Sequence, residues 1–137
     1  MIVGKYTDLE TDIFSIFASN TWKSEKIKTY PNNFILTGNP KEFIRVTIIP
    51  SGKGVNRLSV SGVVIIDIFT LAGEGTRSLS LIADTLDNYL GGKVITLLSG
   101  RATQFGISTM TISGFDTDNP SLFRAHYTIP FNFFGVL

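Results

Sequence analysis

The stretch VSGVVIIDIF, residues 60–69, restricts the possible folds more than any other part of the chain. Val60, Val64, Ile66 and Ile68 alternate onto one face of a strand, while Val63, Ile65 and Phe69 share the other face with Asp67. A strand half in water alternates apolar with polar residues, so a strand apolar on both faces calls for cover on both. The expected covers are a helix on one side and a helix or a neighbouring copy of the chain on the other.

The surrounding sequence supplies the remaining layers. From Phe43 the period is also two, with Ile44, Val46 and Ile48 on one face and Phe43, Arg45, Thr47 and Ile49 on the other. PSGKGVNRLS (50–59) reads as a flexible connection between the two strands. After residue 69, Leu79, Ile82, Ala83, Leu86 and Leu90 fall on one helical face, Asp84 and Asp87 point away, and Gly91-Gly92 provides the stop. Near the start, Thr7-Asp8-Leu9-Glu10 has the pattern of a capping box, followed by Leu9, Ile13, Ile16 and Phe17 at helical spacing. That helix is expected to fade near Asn20. TWKSEKIKTYPNNF (21–34) reads as a loop with a short strand around Ile27.

Towards the C-terminus, VITLL (94–98) and FGISTMTIS (105–113) read as strands. The apolar positions of the latter move from odd to even, which a bulge near Ser108 or Thr109 accommodates. GFDTDNPS (114–121) is a turn and LFRAHYTIPFNFF (122–134) the last strand, where Pro130 suggests a sheet edge or a break. The order helix, two strands, helix, three strands predicts one α+β domain over 1–137. Its sheet is mainly antiparallel, with a mixed sheet left open, and packs against two helices.

Composition narrows the function classes. With 43% hydrophobic and 17% charged residues the chain is no disordered segment. A net charge of +1 gives no general attraction to nucleic acid or membranes. The absence of cysteine excludes disulfides and thiolate chemistry. No run approaches the roughly 20 apolar residues of a spanning helix, and the N-terminus lacks a signal-peptide layout, so a cytosolic, unprocessed chain is expected. The mean hydropathy of +0.24 is high for a small domain and suggests that other subunits cap some apolar surface.

Motifs that could carry chemistry are weak. LAGEGTRSLS (71–80) places Gly73 and Gly75 ahead of a helix, but it lacks a third glycine and the Lys-Ser/Thr of a phosphate loop, and Glu74 would repel phosphate. A turn into a helix is the simpler reading. His126 is the sole histidine, expected at a surface or interface opposite in facing to Tyr127. Asp116 and Asp118 faintly suggest a calcium loop, but the required glycine and distal glutamate are missing, and Asx turn chemistry accounts for them. No catalytic, cofactor-binding or metal-binding residue emerges, so the chain reads as a non-enzyme without cofactor.

Two charged features stand out. Arg45 and Asp67 interrupt apolar strands at the same parity, which suits a cross-strand pair worth about 0.2–1 kcal/mol or, more sharply, a pair between subunits. Lys53 and Arg57 lie in the 50–59 connection, and Lys23, Lys26 and Lys28 cluster beside Trp22 and Tyr30; these are a solvated face or a patch for DNA or a partner.

The layout resembles the tail terminator (tail completion) proteins of long-tailed bacteriophages, the lambda-like minor tail protein family. The resemblance rests on TYP (29–31), SGVVIIDIFTLAGEG (61–75), LIADTLDNYLGG (81–92) and YTIPFNFFG (127–135). It implies a structural virion protein that forms a ring, usually a hexamer, on the head-proximal end of the tail tube. The ring would stop tube polymerisation, meet the head connector and let genomic DNA pass through its lumen without sequence specificity. It would be assembled in the host cytoplasm, reside in the tail–neck region of the virion and have no membrane partner. On that reading Arg45, Asp67, Val63, Ile65 and Phe69 are candidates for the subunit or tube interface, and Lys53 and Arg57 for a loop facing DNA or a partner. Another neck or head-completion connector protein fits the same features. A small-ligand-binding domain, with some of the eleven Phe lining a pocket between helix and sheet, is an alternative of a different class.

Overall fold

Helix α1 spans Lys5–Phe17 and begins earlier than the capping box suggests. Gly4 is the N-cap, extended and without a side-chain cap, and its carbonyl accepts the first helical bond from the Asp8 N–H at 3.0 Å. Thr7 therefore lies inside the helix, where its carbonyl accepts from the Thr11 hydroxyl. Lys5 and Tyr6 can continue the helix outward because nothing ahead of Thr7 breaks it. The structure, a computed structural model, describes residues 3–35, 38, 41–117 and 119–135.

The segment expected to be a loop is ordered by two side chains. Ser19 caps a short helix α2, Asn20–Ser24, by accepting from the Trp22 N–H. Trp22 is 1% exposed and its indole N–H donates to the Thr29 hydroxyl at 2.9 Å. Thr29 opens strand β1, Thr29–Pro31, two residues beyond the expected Ile27. Burying the indole fixes where the strand starts.

Strands β2 (Phe43–Lys53) and β3 (Ser59–Leu71) form a long hairpin with a register shift between Ile49 and Gly52. The flexible connection thus shrinks to 54–58, where the Asn56 side chain accepts from the Leu58 N–H and the Ser59 hydroxyl. Helix α3 covers Arg77–Leu90, entered through the left-handed Gly73 and Gly75 and left through Gly92. Strand β4 is only Val94–Ile95; Leu97 and Leu98 lie in the following turn and are exposed, so the expected strand over 94–98 is cut short. The strand expected over 105–113 is two pieces, β5 (Ala102–Phe105) and β6 (Thr109–Phe115), followed by β7 (Leu122–Phe134).

The sheet runs β1-β2-β3-β7-β5-β4, with β6 also on β7. It is mixed, because β1 joins β2 in parallel while the other pairs are antiparallel. Strands β5 and β6 share one edge of β7, and the residues between them absorb a slip in register, Phe105 facing Phe131 but Thr109 facing Thr128. The parity flip seen in the sequence is this slip.

Pro130 therefore lies in an interior strand and not on an edge. Its carbonyl accepts from the Gly106 N–H at 2.9 Å, so its missing N–H would also point at the bulge between β5 and β6. The ladder is interrupted there already, and the proline leaves no partner unsatisfied.

Both long helices pack on one face of the sheet. Leu9, Ile13 and Phe17 of α1 and Leu79, Ile82, Leu86 and Leu90 of α3 join Val64, Ile66, Ile68, Tyr127, Ile129 and Phe131 in one core. At about 1.5–3 kcal/mol for each large apolar side chain buried, this layer is the main source of stability. Four of the eleven Phe (Phe17, Phe105, Phe131 and Phe133) fill the layer between helices and sheet.

Candidate interaction face

Among the described residues no helix lies on the opposite face of the sheet. Its rows follow from the strand register. Arg45, Asp67, His126 and Thr111 form one row across β2, β3, β7 and β6. Thr47, Ile65, Thr128 and Thr109 form the next, and Ile49, Val63 and Pro130 the one beyond. On the other side of the charged row lie Phe43, Phe69 and Arg124.

The end nearest Phe69 is closed by the chain itself. Phe43 and Phe69 stack at 4.5 Å between ring centroids, and Leu122, Tyr30 and Leu71 complete a small separate cluster. The guanidinium groups of Arg45 and Arg124 lie 5.5 Å and 5.4 Å from the Phe69 ring centre, within cation–π range. Phe69, expected at an interface, is thus 3% exposed and part of this local core. Val63 and Ile65, by contrast, remain half-buried on the face opposite the helices.

Asp67 is 7% exposed and stands directly opposite Arg45, as strand parity implied. Its carboxylate is nevertheless taken by β7. Arg124 Nη2 donates to Oδ2 at 3.1 Å, and His126 Nδ1 lies 2.5 Å from Oδ1. The expected Arg45–Asp67 ion pair is therefore replaced by Arg124–Asp67–His126, because two side chains on the other flanking strand reach the same carboxylate. Among the described residues Arg45 has no carboxylate within ion-pair distance, and its Nε is buried without an acceptor. This row and the adjoining one together carry two guanidinium groups, Arg45 and Arg124, against the one carboxylate of Asp67, an excess of positive charge on a half-buried surface.

The other charged candidates are dispersed. Lys53 and Arg57 are exposed on the β2–β3 hairpin near Val55, which is 78% exposed. Lys23, Lys26 and Lys28 are exposed, but Trp22 is in the core and offers no stacking surface beside them. His126 is half-buried on the uncovered face, where its facing opposite to Tyr127 was expected to put it. Asn119 accepts from the Ser121 N–H and hydroxyl, the Asx chemistry anticipated for the 114–121 turn, while Asp118 lies outside the described residues. Among the described residues no three metal-ligating side chains converge, and no helix is long and apolar enough to cross a membrane.

Three features escaped sequence reasoning. Arg124 shares the parity of His126 and could have been found from the 122–134 alternation once β7 was placed beside β3. Arg101 and Asp12 form a buried ion pair between the β4–β5 turn and α1 that no local pattern announces. Helix α3 holds Asp87, which accepts from the Ser108 hydroxyl at 2.6 Å and the Tyr127 phenol at 2.8 Å. Burial pushes the Tyr127 phenol pKa up; the Ser108 hydrogen bond works against the shift, and Asp87 adds to it.

An open groove of about 590 Å³ lies between α1 and β1, with Tyr6, Glu10, Phe14 and Pro31 among its walls. It is not the Phe-lined pocket between helix and sheet that a ligand-binding domain would call for, since that layer is packed core.

No family model and no curated protein matches the chain. One solved structure superposes with a TM-score of 0.65 at 14% identity, covering 94% of this chain and 95% of its own. At that identity the likeness shows the fold alone.

Proposed function

We propose that this chain is a structural protein that works as a ring, a phage tail terminator that caps the head-proximal end of the tail tube and forms the head-joining interface. The observation that carries this reading is the uncovered sheet face, on which Val63 and Ile65 stand half-buried beside an unpaired Arg45. A strand apolar on both faces with a helix layer on only one has its second cover missing from the monomer, and a neighbouring subunit supplies it. Rings use such heterologous contacts, in which one patch meets a different patch on the next copy. The resemblance described above then gives the ring its place in a virion.

On this reading the exposed hairpin with Lys53 and Arg57 reaches the tube or the DNA in the lumen, and Val63, Ile65 and Arg45 face a subunit. Asp67 acts within its own chain, as the counter-ion that holds Arg124 and His126. Another neck component would use the same face. A small-ligand module has less support, because the layer between helices and sheet is filled.

The test adds the purified chain to polymerising tail tubes and reads tube length by electron microscopy. Tubes that stop growing and carry density at one end support the cap. Tubes whose length distribution is unchanged over a range of added protein would sink it.

A further inference from the structure

We infer that the uncovered sheet face is covered by helix α3 of a second copy of this chain, with Asp84 of one copy meeting Arg45 of the next. The inference rests on the ring reading above and names the surface that the sheet face meets.

The charges of the two surfaces are complementary. The sheet face has the surplus guanidinium at Arg45, with Ile65 in the next row and Val63 in the row beyond. Helix α3 buries Leu79, Ile82, Leu86 and Leu90 against its own sheet, so its remaining side faces away from the core. That side shows Leu81, 52% exposed, and Asp84 one turn later. Among the described residues Asp84 pairs with no cation. Helix α3 also carries the exposed Arg77 one turn before Leu81, but with Asp84 and Asp87 its net charge is negative, so each surface offers an apolar side chain and a net charge, of opposite sign.

The spacings are compatible. Three residues along a helix advance about 4.5 Å and two residues along a strand about 6.6 Å, a difference of about 2 Å that the side chains span. Asp84 set over Arg45 therefore brings Leu81 above the row of Ile65, two residues along β3. The contact pairs carboxylate with guanidinium and isobutyl with isoleucine.

The apolar surface continues beyond the helix. Met110 borders the same hollow of about 180 Å³ as Asp84 and Asp87, next to α3, and is 38% exposed. Ile112, two residues further along β6, is 48% exposed. Strand β6 leaves these side chains bare because α3 does not extend over it. A neighbour's sheet face laid on α3 would shield them too.

Helix α1 is a poorer occupant. Its exposed Tyr6 has the Lys5 ammonium 5.2 Å from the ring centre, which would bring a cation towards Arg45 and Arg124. Its Asp8 already pairs with Arg101 at 3.3 Å, Asp12 is buried, and the exposed Glu10 lines the groove beside β1.

The contact is heterologous, which gives a test by mixing. Light scattering over a concentration series should show wild-type chain associating. Arg45→Glu and Asp84→Lys, each alone, place like charges in every contact and should raise the association midpoint by roughly a hundredfold or more. Mixed in equal amounts they should associate again, since alternating copies give Glu against Lys and Arg against Asp. Recovery on mixing also shows that neither variant failed by misfolding.

A wild-type ring that survives both single substitutions overturns the inference and leaves the cap reading standing, with another surface forming the ring. Two variants that lose association and do not recover on mixing overturn it as well, as does wild-type chain that stays monomeric throughout. The tube-length assay fails independently: rings that behave as described but leave tubes uncapped would reject the terminator reading alone.

Discussion

Arg101 closes on Asp12 with two contacts, Nε to Oδ2 at 2.8 Å and Nη2 to Oδ1 at 2.5 Å, and both side chains are buried. The pair joins the turn before β5 to the middle of α1, elements far apart in the chain. A carboxylate at 0% exposure is tolerated because the guanidinium fork satisfies both oxygens, and the same contact raises the Arg101 pKa above its ordinary value. Arg101→Met leaves that carboxylate unpaired and should destabilise the fold by about 3–5 kcal/mol, read from urea unfolding midpoints. The double variant Asp12→Leu, Arg101→Met should recover most of the loss, and a double variant no more stable than the single one would contradict this account.

Gly62 faces the register shift between Ile49 and Gly52. A Cβ at this position would collide with the Ile49 carbonyl oxygen, a backbone atom that cannot rotate aside. Gly62→Ala should destabilise the protein by about 1–3 kcal/mol through forced displacement of the hairpin. Thermal unfolding tests it; an unchanged melting temperature would mean that the hairpin yields freely.

Tyr127 sets an alkaline limit. Its folded pKa is raised above the ordinary 10.0, so above about pH 10 the unfolded chain releases a proton that the folded chain keeps. The stability linked to this group is complete below that pH and is lost as pH climbs towards the folded value. Tyr127→Phe should flatten the decline of stability above about pH 10 relative to wild type, at the expense of one hydrogen bond to Asp87. Parallel alkaline limbs for the two proteins would show that Tyr127 does not govern it.

The uncovered face separates folding from assembly. Val63→Thr with Ile65→Thr keeps β-branched side chains in the strand, so folding should weaken by only about 1 kcal/mol for each change. Self-association should weaken tenfold or more, as expected when apolar side chains leave an interface core. Sedimentation velocity beside thermal melts reads the two effects, and association that persists at wild-type strength would remove this face from the interface.

Much of the fold was legible along the chain. The alternation in 60–69 correctly assigned Val64, Ile66 and Ile68 to the core, and the helical period did the same for Leu79, Ile82, Leu86 and Leu90. The parity change in 105–113 marked a real slip in register. Local rules fell short in three places. The capping box at Thr7 was overrun by a helix that starts at Lys5, and the loop of 21–34 became ordered once Trp22 found the Thr29 hydroxyl. Pro130 looked like an edge marker because the bulge opposite it belongs to another strand.

The candidate face divides in the same way. That Arg45, Asp67, Val63 and Ile65 share a side follows from alternation within two strands, which steric packing of the backbone enforces over a few residues. The partner of Asp67 depends instead on which strand lies next to β3. Arg124 and His126 reach it from 57 and 59 residues away, across a pairing that no local pattern specifies. Periodicity assigns a side chain to a face, whereas the choice of neighbour across that face is made by the long-range pairing of strands. Only when β7 settles beside β3 does Asp67 turn from Arg45, leaving one guanidinium on the surface without a carboxylate.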